Sequence, residues 1–91
     1  MKKITTKAQA RELVGAMLKN SDLEIQLFDE MYGNEIISLV PDEGLDYNCE
    51  MIWRDTVSGE SGKTAMTVVG VVGMIFEHRK FINRSGQLAN I

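Results

Sequence analysis

Residues 23–40 read Leu23-Glu24-Ile25-Gln26-Leu27-Phe28-Asp29-Glu30-Met31-Tyr32-Gly33-Asn34-Glu35-Ile36-Ile37-Ser38-Leu39-Val40, and they decide the fold class. Leu23, Ile25 and Leu27 alternate with Glu24, Gln26 and Phe28, the period-two pattern of a strand with one buried face. Gly33 and Asn34 tolerate the positive φ of a tight connection, and the β-branched run from Glu35 to Val40 supplies a second strand. Together they predict a β-hairpin. Pro41 has no amide hydrogen for a ladder and closes the second strand, leaving Asp42-Glu43-Gly44 as a loop.

Working outward, Thr6 and Gln9 form a capping-box pattern ahead of Ala10, Leu13, Val14, Met17 and Leu18 at helical spacing, which predicts a helix over about 6–19. After the hairpin, a third strand is expected from Tyr47 to Asp55. Tyr47, Cys49, Met51 and Trp53 fall on one side of it, and Asn48, Glu50, Ile52 and Arg54 on the other. Beyond a Ser/Gly/Thr-rich stretch at 56–63, Ala65, Val68, Val69, Val72, Ile75 and Phe76 recur at three and four residues. They predict a second helix over about 64–82, with a strand over Thr64–Val69 before a shorter helix as the alternative. The expected architecture is α+β in the order α-β-β-β-α, a three-stranded antiparallel sheet packed against two helices. Its core face would carry Leu23, Ile25, Leu27, Ile37, Leu39, Met51 and Trp53. The chain should form a single domain over 1–91, frayed over 87–91.

Composition narrows the functional classes. At 91 residues, 44% hydrophobic and 25% charged, the chain is that of an ordinary globular domain with one core. Polar residues directly after Ile4 leave no apolar signal core, and the apolar run 65–76 is too short and too interrupted to span a bilayer, so a cytoplasmic protein without a membrane partner is expected. One cysteine, Cys49, excludes an internal disulfide, and one histidine, His78, excludes sites built from several imidazoles. Gly59-Glu60-Ser61-Gly62-Lys63-Thr64 looks like the end of a phosphate-binding loop, but Val57 stands where that pattern needs glycine. The acidic loop at 42–46 lacks the alternating oxygen ligands of an EF-hand. Neither a catalytic constellation, a cofactor nor a metal is expected.

Charge is the remaining signal. Residues 22–60 hold eleven acids against Arg54 alone, a net of −10, whereas 1–21 carry +4 and 61–91 carry +3. Such segregation produces a negative field over the sheet region, at a cost in self-repulsion. The expected function is therefore a non-enzymatic, protein-binding module docking an acidic surface on a basic partner. Glu24, Asp29, Glu30, Glu35, Asp42, Glu43, Asp46, Glu50 and Asp55 are the candidate contacts.

Basic surfaces shaped for phosphates belong to nucleic-acid-binding proteins, and spaced carboxylates on a rigid sheet could occupy such a groove. In size, acidity and lack of catalytic groups the chain resembles the small inhibitors that phages and mobile elements encode against restriction or CRISPR complexes. That resemblance is one of class and rests on no residue motif. It implies nucleic-acid mimicry or steric block, while direct nucleic-acid binding is disfavoured by the acids. The alternative is a homodimer or larger self-assembly through Phe28, Ile36 and Val40 on the second sheet face, or through Gly70 and Gly73 on the Val/Gly-rich helix. A third reading is a small phosphate or nucleotide binder using residues 58–64.

Overall fold

The computed structural model describes residues 3–29, 33–44, 48–80 and 82. Helix α1 (Lys7–Lys19) leads into strands β1 (Ile25–Asp29), β2 (Gly33–Pro41), β3 (Cys49–Asp55) and β4 (Ser61–Met66), followed by helix α2 (Val68–Glu77). The strands form one antiparallel sheet in the order β1-β2-β3-β4, each paired with its sequence neighbour.

The α+β class and the two helices match expectation; the sheet has four strands rather than three. The extra strand takes the end of the Ser/Gly/Thr-rich stretch and the first residues of the expected second helix, so the alternative of a strand before a shorter helix describes this segment better, although the strand begins at Ser61 and ends at Met66. Ser61–Met66 pairs with β3 from Arg54↔Ser61 to Cys49↔Met66, and the helix begins only at Val68. Ladder hydrogen bonds to an existing strand outweigh the weak helical pattern there, because Gly62 and Thr64 are poor helix formers. Residues 58–64 therefore form a turn and an edge strand, not a loop opening onto a helix N-terminus.

Helix α1 starts as its sequence dictates. The Gln9 amide donates to Thr6 Oγ1 at 3.2 Å, and the Thr6 amide donates to Gln9 Oε1 at 3.1 Å, which closes the capping box. Helix α2 is capped from two sides. Thr67 Oγ1 accepts from the Gly70 amide at 2.9 Å, and Asn48 Oδ1, just before β3, accepts from the Val68 amide at 2.7 Å. This second bond ties the helix start to the β2–β3 connection across twenty residues of sequence.

Both helices contribute to one buried cluster with one face of the sheet. Ala10, Leu13, Val14 and Met17 of α1 and Val71, Val72 and Ile75 of α2 join Ile25, Ile37, Leu39 and Cys49, with Ile4 and Ile82 closing its margins. Leu23, Leu27, Met51 and Trp53 pack against it, so the expected core face is the one the helices cover. Trp53 lies over β4: a Cβ built on Gly62, its partner in the ladder, would stand 2.7 Å from the indole. Glycine at that position is what lets the ring lie flat on the strand. Among the described residues, no helix is long and apolar enough to cross a membrane.

Candidate protein-binding surface

The ladder register assigns every described sheet residue to a face, since directly paired residues point the same way. Gln26, Ile36 and Arg54 share one row, Ser38, Ile52 and Lys63 the next, and Val40, Glu50 and Ala65 the third. This set lies opposite the core, on the face the helices leave uncovered. Ile36, Ser38, Val40 and Ile52 occupy its two central strands and are half-buried. Around them stand two ion pairs, Arg54–Glu24 at 3.9 Å and Lys63–Glu50 at 3.8 Å.

The candidate acids separate into three groups. Glu24 and Glu50 belong to the uncovered face, where each carboxylate meets a cation, so among the described residues that face carries acids and bases in equal number. Asp29, Glu35 and Asp55 lie at the end of the sheet that holds the β1–β2 and β3–β4 connections, with exposed Glu60 beside them. Asp42 and Glu43 are exposed just after Pro41, at the opposite end of β2. Glu30 and Asp46 fall outside the described residues, as do the side chains of Asp29 and Phe28. The −10 segment thus becomes two acidic ends joined by a charge-balanced face, an arrangement set by strand parity and invisible to a count along the chain.

Asp55 serves the turn as well as the charge pattern. Its Oδ1 accepts from the Val57 amide at 2.8 Å and the Ser58 amide at 3.1 Å. These bonds, that of Ser58 foremost, hold its carboxyl below the usual carboxylate range. Gly59, at φ 79°, then takes the left-handed conformation that returns the chain to Glu60, whose carbonyl accepts from the Asp55 amide at 2.7 Å.

Cys49 is fully buried, and its thiol donates to the Met66 carbonyl at 3.4 Å. Burial first, and the nearby Asp42 charge second, push its pKa up, which suits a packing residue better than a nucleophile. His78 sits at the C-cap of α2. Among the described residues no three His, Cys, Asp or Glu side chains come together as a metal-binding group. On α2, Val69 is 82% exposed, Gly70 is exposed and Gly73 is half-buried with open space around its Cβ position.

Comparison with family models, with curated proteins and with solved structures finds no match. The surface has to be read from its own chemistry.

One basic feature escaped the sequence reading. Lys7 of α1 lies 5.9 Å, and Arg79 lies 4.2 Å, from the centre of the Phe76 ring, and Arg79 also donates to the Phe76 carbonyl at 2.8 Å. Two cations separated by seventy-two residues of sequence gather on one aromatic side chain in the helical layer. Their spacing along the chain carries no signal for this, because it arises from the packing of α1 against α2.

Proposed function

We propose that this chain is a non-enzymatic protein-binding module that docks its two acidic sheet ends on a basic partner surface. The observation that supports this most is the division of charge between layers. The sheet segment is strongly acidic and the helical segments basic, and among the described residues Asp42, Glu43 and Glu60 are exposed and form no ion pair with any Lys or Arg. Carboxylates left in water without a cation contribute little to folding, whereas they steer and orient an oppositely charged partner.

The distance between the ends makes the reading more specific. From Glu35 to Pro41 the rigid β2 strand spans about 20 Å at roughly 3.4 Å per residue. A partner engaging both ends presents two basic patches with that separation, as a groove built to hold a nucleic-acid backbone does. Occupying such a groove makes the chain an inhibitor of a nucleic-acid-binding complex, of the kind that defence systems use.

The test is capture of the partner from host lysate, followed by quantitative binding to the purified partner. Neutralising one end (Glu35→Gln with Glu60→Gln) or the other (Asp42→Asn with Glu43→Gln) should slow association, and neutralising both should abolish capture. DNA or RNA should compete with the parent, and added salt should weaken binding. A four-site variant that binds the same partner as tightly as the parent would overturn the proposal.

A further inference from the structure

We propose that the uncovered face of the sheet is the interface of a homodimer, with two copies stacked sheet on sheet about a two-fold axis. The axis lies in the interface and runs across the strands at the Ser38–Ile52 row. This goes beyond the acidic-end reading and does not depend on it.

The register carries the argument. Both helices join the core cluster on the other face, and among the described residues neither helix packs on Ile36, Val40 and Ile52 at the centre of this one. An axis across the strands at the Ser38↔Ile52 pair keeps each strand over its own counterpart and exchanges the rows on either side. Ile36 then lies over Val40 of the second copy, and Ile52 lies over Ile52. Along β3, Arg54 lies over Glu50 of the second copy, and Glu50 over its Arg54.

The apolar centre is therefore self-complementary, and so is the charge pattern. Arg54 is already paired with Glu24 and Glu50 with Lys63 in each copy, so stacking extends two separate pairs into alternating chains of four charges. Glu24 and Lys63 each approach their own counterpart only at the edges of the sheet, where each is held to an opposite charge. A face whose described acids and bases are equal in number offers little to a uniformly charged partner but matches a rotated copy of itself.

The size of the face makes this a weak, reversible dimer. Four strands about 4.8 Å apart and about six residues long present roughly 19 × 20 Å before side-chain relief is counted. Flat, that is about 760 Å² for the two copies together, in the range of weak, transient interfaces, so dimerisation belongs in the micromolar range rather than the nanomolar. Aligned packing of twisted sheets at about 30° keeps the two central strands in register and separates the corners.

The test uses analytical ultracentrifugation of the full chain, with circular dichroism to confirm folding of each variant. The parent should pass from monomer to dimer over the micromolar range, and Ile52→Lys, which places two like charges on the axis, should be monomeric. Arg54→Glu alone and Glu50→Arg alone should each dimerise at least tenfold more weakly, because each sets like charges against each other twice. Mixing these two variants should restore a heterodimer, since both facing pairs between positions 50 and 54 are then opposite in sign. A parent that stays monomeric into the submillimolar range overturns the proposal. So does a dimer that is indifferent to Ile52→Lys, or a mixture of the two charge variants that forms no heterodimer.

Discussion

Glu35 on β2 is the direct ladder partner of Asp55 on β3, so two acidic residues stand opposite each other on neighbouring strands and on the same side of the sheet. Like charges in that position destabilise a sheet, by an amount comparable to what an opposite pair contributes. Glu35→Lys should therefore raise stability by roughly 0.2–1 kcal/mol, with the gain shrinking in high salt. Urea unfolding at low and high ionic strength checks this. If the acidic ends bind a basic partner, the same variant should bind it more weakly while being more stable.

The two amide hydrogen bonds to Asp55 give its contribution a defined pH range. Its folded pKa is depressed, so the stabilisation is present above the unfolded value and is lost as pH falls through the lower folded one. The parent should lose stability below about pH 4, and Asp55→Asn should show a flatter profile there. Thermal melts of both proteins from neutral pH to about pH 2 provide the comparison.

Gly62 and Trp53 form a single packing unit. A methyl group at 62 would stand 2.7 Å from the indole, so Gly62→Ala must displace the ring at a cost of about 1–3 kcal/mol. The lone tryptophan reports the change, and its emission should shift to the red as the indole becomes more exposed. Unchanged stability and emission would show that the ring has room to move.

Asn48 and α2 form the second unit. Removing the side chain that accepts from the Val68 amide, as in Asn48→Ala, should cost about 1 kcal/mol. Hydrogen exchange should accelerate first at the start of α2 and in the β4 amides next to it, and not in α1. Uniform acceleration would mean that the bond stabilises the whole domain and not this junction alone.

Several of these elements were legible along the chain. Thr6 and Gln9 announce the start of α1 because a capping box is local, and the alternation at 23–28 and 35–40 marks both strands and their inward residues because side-chain parity is local too. The fourth strand was less so. The valines and isoleucines after residue 65 continue a helical stripe, which left a strand over Thr64–Val69 only as the alternative, and the pairing of Ser61–Met66 that decides it depends on β3.

The candidate surface shows the same division. The sequence by itself determined how much negative charge the middle of the chain carries, the absence of a cysteine or histidine cluster, and which residues of each strand share a face. Only the tertiary structure decided that Glu24 and Glu50 meet cations on the uncovered face, that Glu35 and Asp55 crowd one end, and that Lys7 and Arg79 converge on Phe76. Composition and parity are properties of residues and their neighbours. Which charges meet is set by ladder register and helix packing, and both are fixed when distant segments bury a common core.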